Sequence, residues 1–181
     1  LPWRAARAMF ETQHDFLYLD TSTLFRQLVS SAVQTVTPER VIVEGMRYEV
    51  LIADGGECLD DSVLDSLAPM VDSGRVIAFG EPIPGIPRHA PDAAALGRML
   101  DLLVFPDVVT NPALRELRYT HLCLDGAHAY VFVNEGPETI DVQLVTGKPP
   151  KEWWNPWTGS VSRAGLDRLA LPPLGVRVLI A

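Results

Sequence analysis

At 181 residues the chain can form one domain or two small ones, and its net charge of −8, without a basic stripe, argues against nucleic acid and anionic membranes as partners. No stretch approaches the roughly 18 uninterrupted apolar residues of a membrane span. The start, Leu1-Pro2-Trp3-Arg4, has neither an initiator methionine nor the apolar region of a signal peptide. We therefore expect the chain to be a segment of a longer protein, whose localisation stays open.

The middle of the first half predicts a strand–helix–strand unit. Residues 48–53 are nearly continuous in apolar and β-prone residues, which is typical of a central parallel strand. Asp60 or Asp61 is expected to cap a helix with an apolar face, and Gly74 to end it. Residues 75–80 form a second buried strand, so that the three elements make a right-handed βαβ unit.

Elements on either side extend this α/β layer. We predict a strand at 15–20 and a short strand at 41–43. Between them, a helix capped by Thr21 or Ser22 is expected to present apolar residues at Leu24, Leu28, Ala32 and Val36. The four prolines between residues 81 and 91 exclude regular structure there, and a helix follows at 92–103. The layer is expected to hold three or four parallel strands.

The pattern changes to short strands after Pro112. Predicted strands at 117–124 and 129–134 flank the hairpin signal Asp125-Gly126. Two more strands are predicted at 139–145 and 176–180. Strands at such close spacing favour an antiparallel β-sandwich. We therefore predict two domains, an α/β domain over residues 1–115 and a β-sandwich over residues 116–181.

Three short motifs follow one another in this second half. They are Val131-Phe132-Val133-Asn134, Trp154-Asn155-Pro156-Trp157-Thr158-Gly159 and Leu171-Pro172-Pro173-Leu174-Gly175. They resemble the YFVxN strand, the W-D-P-x-T-G turn and the closing L-P-P-x-G-S strand of large bacterial glycoside hydrolases of the α-L-rhamnosidase-like group and its β-galactosidase-like relatives. Residues 13–20 and 45–52 resemble the region after the catalytic barrel in the same group. Asn155 stands where that group has aspartate.

The resemblance implies a fold and a role. The fold is a small flavodoxin-like parallel layer, of class I glutamine-amidotransferase type, followed by a β-sandwich. The role is that of a non-catalytic C-terminal portion of a glycoside hydrolase, which scaffolds the catalytic barrel of the same parent chain and shapes its substrate cleft. His14 and Asp15 are the residues expected to face that cleft.

Trp153, Trp154 and Trp157 have two interpretations. Their rings are either packing anchors or a flat surface on which a carbohydrate stacks. Adjacent residues of an extended strand point to opposite sides, so Trp153 and Trp154 cannot both face outward or both face inward. The second interpretation makes the chain an independent carbohydrate-binding module.

Catalytic alternatives have less support in the residues. Cys58 is the one candidate nucleophile of a degenerate amidotransferase-like hydrolase, and no histidine follows it in a recognisable setting. Neither a carboxylate pair for glycoside hydrolysis nor a metal-ligand spacing stands out. A phosphate-binding loop is also missing. We therefore predict no catalytic residue, no metal and no cofactor in this segment.

Overall fold

The computed structural model describes residues 3–29, 36–54, 59–124, 126–165 and 168–181. The chain divides into two compact units. The first unit comprises Leu1–Ala8 and Phe16–Phe105, and the second comprises Met9–Asp15 and Pro106–Ala181. Each unit has a hydrophobic core of its own.

All helices of the described residues begin in the first unit. They are α1 (Trp3–Glu11), α2 (Thr21–Leu28), α3 (Asp61–Ser66), α4 (Ala68–Asp72) and α5 (Ala93–Leu103). The last three residues of α1 belong to the second unit. None of these helices is long and apolar enough to cross a membrane. The strands of the first unit are β1 (Val36–Thr37), β2 (Arg40–Val43), β3 (Met46–Tyr48), β4 (Leu51–Asp54), β5 (Val76–Phe79) and β6 (His89–Ala90).

A parallel sheet in the order β4-β5-β6 confirms the predicted α/β class. All four residues of β5 are buried, as expected of a central strand. Asp60 caps α3 by accepting a hydrogen bond from the Ser62 N–H at 3.1 Å, and Gly74 follows α4 with a φ of +72°. The predicted βαβ unit is therefore present. The flavodoxin-like type stays a prediction, because three short strands do not define it.

The apolar run at 48–53 is divided between two sheets. Tyr48 ends β3, which pairs with β2 in the antiparallel sheet β1-β2-β3, whereas Leu51 begins β4, which pairs with β5. Both strands are rich in apolar and β-prone residues. They differ in the strand with which each one pairs, and contacts distant in the chain decide that pairing.

The segment before α2 differs from the prediction. Residues 14–20 form no strand. Asp20, rather than Thr21 or Ser22, caps α2, because its Oδ1 accepts the Thr23 N–H at 2.9 Å. The helix ends at Leu28, and Val36 lies in β1 instead. Ala32 lies outside the described residues.

The second unit is an antiparallel sandwich. Its strands are β7 (Val108–Asn111), β8 (Leu117–Leu124), β9 (Ala127–Asn134), β10 (Ile140–Thr146), β11 (Glu152–Trp154), β12 (Val161–Arg163), β13 (Arg168–Leu171) and β14 (Val176–Ile180). They form a three-stranded sheet, β13-β10-β7, and a five-stranded sheet, β12-β11-β14-β9-β8. Inward side chains of both sheets, among them Leu144, Leu169 and Phe132, belong to one core.

Four strands of the sandwich were predicted and four were not. β8, β9, β10 and β14 correspond to the predicted strands, while Asp125 of the predicted hairpin turn lies outside the described residues. β7, β11, β12 and β13 have three or four residues each, too few to carry a periodic pattern. β7 lies before residue 115 and pairs with β10, which explains why Pro106 onward belongs to the second unit.

A fully buried asparagine joins two turns of the sandwich. The Nδ2 of Asn134 donates to the carbonyl oxygens of Glu138, Leu171 and Pro172 at 2.7, 3.3 and 3.0 Å. Its Oδ1 accepts the Gly136 N–H at 2.9 Å. The side chain thus satisfies backbone groups that burial would otherwise leave without partners. The first and last of the three sequence motifs meet at this residue.

Asn134→Ala is expected to lower the free energy of unfolding by about 3 kcal/mol, because several buried backbone groups lose their partner at once. Urea denaturation measures this change. Gln143→Ala, which truncates an exposed amide on β10, is the control and is expected to change stability by less than about 0.5 kcal/mol. Equal effects of the two substitutions would contradict the role of Asn134.

Candidate functional site

Gln13 links the edge strands of the two sheets in the second unit. Its backbone carbonyl accepts the Tyr119 hydroxyl of β8 at 3.1 Å, and its Oε1 accepts the Thr110 hydroxyl of β7 at 3.0 Å. Its Nε2 donates to the carbonyl oxygen of Leu114 at 3.3 Å. The Gln13 side chain is buried, so each of its polar atoms has a protein partner. The segment 12–15 therefore closes the open side of the sandwich.

The two residues expected to face a cleft lie in this segment. His14 is buried, and its Nδ1 is 3.0 Å from the Thr12 Oγ1. Asp15 is exposed, and its Oδ2 accepts the His121 N–H of β8 at 3.4 Å. A carboxylate that accepts the N–H of an edge strand makes that edge less able to pair with another strand. Only Asp15 of the pair has a surface that a substrate cleft could use.

Two histidines and an aspartate form a hydrogen-bonded cluster at the end of β8 and β9. The Nδ1 of His121 is 2.8 Å from the Asp107 Oδ2, and its Nε2 is 2.8 Å from the Nδ1 of His128. The ring of His121 also stacks on Tyr130, its cross-strand neighbour, with centroids 4.3 Å apart. Sequence reasoning missed this cluster, because the three residues come together only through the hairpin and the connection from β7.

One proton on each ring satisfies both contacts of the cluster. The His121 Nδ1–H donates to the Asp107 carboxylate, and the His128 Nδ1–H donates to the Nε2 of His121. The Nε2 of His128 then carries a lone pair and is the basic atom of the cluster. Burial, with the nearby charges of His121 and Lys148, lowers the pKa of His128 and favours this neutral form. Burial, together with the Asp107 carboxylate, raises the pKa of Tyr130.

The cluster does not extend to a metal site. Among the described histidine, cysteine and acidic side chains, no group of three or more is arranged to hold a metal ion. Cys123 lies opposite His128 in the β8–β9 register and is exposed. Cys58, the candidate nucleophile, lies outside the described residues. The arrangement is a hydrogen-bond relay that orients the end of the hairpin, with one basic nitrogen.

The tryptophan-rich motif forms the β11–β12 hairpin. The Oδ1 of Asn155 accepts the N–H groups of Trp157 and Thr158 at 2.9 and 3.2 Å. Gly159 has a φ of +69° and donates its N–H to the Asn155 carbonyl oxygen at 2.9 Å. Asparagine and aspartate both supply the acceptor oxygen of such a turn. The departure from the family motif at Asn155 therefore leaves the chemistry of the turn unchanged.

The three tryptophans of the motif have different surroundings. Trp153 is only 7% exposed and packs against Phe132, with ring centroids 6.0 Å apart. Trp154 is 45% exposed on the other side of β11, and Trp157 is 77% exposed in the turn. Trp153 offers no free ring face, so the prediction of carbohydrate stacking applies to Trp154 and Trp157 alone.

A depression of about 270 Å³ lies beside the β10–β11 connection. Its wall includes Lys148, Pro149, Trp153 and Arg168. The guanidinium of Arg168 is already paired with both carboxylate oxygens of Asp141, at 2.5 and 2.6 Å. The depression therefore offers mainly apolar contact and no free charge from this arginine.

Comparisons with known proteins find similar folds but no similar sequences. No family model matches the chain, and no curated protein sequence matches it. The rhamnosidase from Novosphingobium sp. PP1Y matches 78% of the chain with a TM-score of 0.56 and 18% identity. The exo-carrageenase GH42 from Bacteroides ovatus matches 98% of it with a TM-score of 0.53 and 13% identity. A β-galactosidase from Bacillus circulans sp. alkalophilus matches 51% with a TM-score of 0.36.

The likenesses to the rhamnosidase and the exo-carrageenase establish the fold. At such identities the chain shares the architecture of a region within two glycoside hydrolase chains, in agreement with the predicted resemblance. The chain spans 18% of the length of the rhamnosidase chain and 26% of that of the exo-carrageenase chain.

Asn155→Ala is expected to destabilise the β11–β12 hairpin by about 1 kcal/mol, because two turn N–H groups lose their acceptor. Asn155→Asp keeps that acceptor and is expected to stay within about 0.5 kcal/mol of the wild type. Thermal unfolding monitored by circular dichroism measures both. If Asn155→Asp destabilised as much as Asn155→Ala, the amide nitrogen rather than the oxygen would be the group that matters.

The stability of the chain is expected to fall as the pH drops from 6.5 toward the lowered pKa of His128. In this window the unfolded chain binds a proton at His128 that the folded chain does not bind, so stability rises with pH. Melting temperatures between pH 5 and 7.5 measure the slope. His128→Gln is expected to remove part of it, and an identical slope in that variant would refute the assignment.

Proposed function

We propose that this chain is a non-catalytic accessory region of a glycoside hydrolase, which supports the catalytic barrel of the same polypeptide and shapes its substrate cleft. The observation that carries the proposal is the shared fold. The matched regions lie inside the chains of a rhamnosidase and an exo-carrageenase, each about four times as long as this chain, since 78% of this chain covers 18% of the first and 98% of it covers 26% of the second.

The chemistry of the three motifs supports an accessory role. Asn134, Asn155 and the turn at Pro172 use their polar groups on the backbone of their own or neighbouring turns. Each motif therefore stabilises a bend in the sandwich and presents no reactive group. A rigid sandwich with fixed turns suits a supporting domain.

Exposed apolar side chains of the first unit also support the accessory role. They include Tyr18, Leu102 and Phe105, the last two more than four-fifths exposed. Surfaces of this kind are often covered in a larger assembly. As part of the proposal, the parallel sheet of this unit is a flavodoxin-like layer, which the β4–α3–α4–β5 connection and the parallel β6 support.

A carbohydrate-binding module is the second candidate, and one observation favours it. Trp157 exposes 77% of its surface at the tip of a hairpin, where its ring could stack on a sugar. Asp15 is the other exposed residue predicted to meet a substrate. The two candidates differ in whether the isolated chain binds an oligosaccharide.

The test compares the isolated chain with the whole polypeptide that its gene encodes. The polypeptide is expected to contain a glycosidase domain and to hydrolyse a rhamnoside, galactoside or carrageenan substrate, whereas the 181-residue chain hydrolyses none. Hydrolysis by the isolated chain that is lost in Asp15→Asn, or a gene without a glycosidase domain, would refute the proposal.

Calorimetric binding of oligosaccharides by the isolated chain, lost in Trp157→Ala and kept in Leu174→Ala on another exposed turn, would favour the binding module.

A further inference from the structure

The side of the five-stranded sheet that faces away from the sandwich core is mostly apolar. Its cross-strand pairs align Val161, Trp154, Val178 and Val131 in one row across four strands, and the row ends at Thr120 of β8. The residues that alternate with this row, such as Trp153, Leu179 and Tyr130, are buried in the core. We call this side the outer face; its apolar members are Leu122, Ala127, Ala129, Val131, Val133, Trp154, Val161, Val176, Val178 and Ile180.

This composition is unusual for a solvent-facing side. An antiparallel sheet with one side in water normally alternates apolar-in with polar-out residues. On β9 and β14 the outward positions are Ala127, Ala129, Val131, Val133, Val176, Val178 and Ile180, with no polar residue among them. Ala127 is exposed and the other six are partly buried, while Val161 and Trp154 at the β11–β12 end are 55% and 45% exposed. The face has the character of a surface made to be covered.

Trp154 is prepared for burial. Its indole Nε1 donates to the Glu152 Oε2 at 3.0 Å, so a partner that covers the ring leaves no N–H without an acceptor. The cross-strand neighbours of Trp154 are Val161 and Val178, which lack hydrogen-bonding side chains. The face therefore suits a protein partner, with Trp154 as its anchor.

The area of the face favours a tethered partner over a second copy. Five strands about 4.8 Å apart, with about three outward residues each, give about 400 Å², so two copies would bury about 800 Å². Stable association of separate proteins needs about 1,200–2,000 Å². A partner in the same polypeptide needs less, because the tether supplies a high effective concentration.

The distribution of charge also favours a tethered partner over a second copy. Among the outward residues only Arg118, Arg163 and Glu152 are charged, so the face holds one of the 23 acidic residues of the chain. Two copies, each of net charge −8, repel one another. Arg118 is already paired with Glu135 at 3.1 Å, so Arg163 on β12 is the edge cation that complements a carboxylate of the partner.

We propose that the outer face of the five-stranded sheet docks on an apolar patch of another domain in the same polypeptide, with a carboxylate of that domain beside Arg163. This rests on the proposed function, in which such a domain exists. The docking places β11 and β12 against that domain and leaves the three-stranded sheet free.

Thiol accessibility tests the docking. In a Cys58→Ser, Cys123→Ser background, Val161→Cys and Leu122→Cys probe the two ends of the outer face, and Val145→Cys on the three-stranded sheet is the matched control. Val161 and Val145 have similar exposures of 55% and 61%. In the isolated chain all three thiols are expected to react quickly with a maleimide. In the whole polypeptide, the two thiols of the outer face are expected to react at least tenfold more slowly, while Val145→Cys is unchanged.

Each other outcome overturns the proposal in a recognisable way. Equal labelling of all three thiols in a whole polypeptide that is an active glycosidase refutes the docking face and leaves the proposed function intact. Concentration-dependent protection in the isolated chain, with a dimer in sedimentation, assigns the face to a second copy. A polypeptide without another domain refutes both proposals.

Discussion

The hydrogen bonds of Gln13 are the constraint on which the second unit depends. The residue precedes the sandwich by almost a hundred positions in the chain, yet its amide and carbonyl bind Thr110, Leu114 and Tyr119 at the edges of both sheets. An edge strand left open exposes unpaired backbone groups. Closing this side of the sandwich fixes the segment 12–15, brings Asp15 to the backbone of His121 and prevents the strand predicted at 15–20.

The segment 12–15 adjoins the polar cluster of β8 and β9 through the backbone of His121. The Nδ1–H of His121 donates to the Asp107 carboxylate, and its Nε2 accepts the Nδ1–H of His128. Its backbone N–H donates to the Asp15 carboxylate. Within the described residues the cluster holds no metal arrangement. Its groups are saturated by one another, apart from a single basic nitrogen on His128. Such a network orders a hairpin more readily than it performs chemistry.

The three sequence motifs and the outer face have different roles in the sandwich. Asn134 and Asn155 hold its turns from within, which makes the unit rigid. The outer face, by contrast, uses none of its apolar side chains in the core of its own unit. A module with fixed turns and one uncovered apolar side is built to be held against something else, which unites its proposed accessory role with its likeness to regions of much longer enzymes.

The sequence by itself determined the α/β-then-β organisation, because the long strands and the cap Asp60 carry local signals in periodicity and turn chemistry. It also determined that Trp153 and Trp154 face opposite sides, since strand geometry alone requires it. The short strands β7, β11, β12 and β13, the role of Gln13 and the His121–His128 contact were decided only by the tertiary structure. β7, β13 and Gln13 have partners far away in the chain, and a residue's local pattern holds no record of a distant partner. β11 and β12 are too short to show a periodic pattern, and the His121–His128 contact depends on the register of its hairpin.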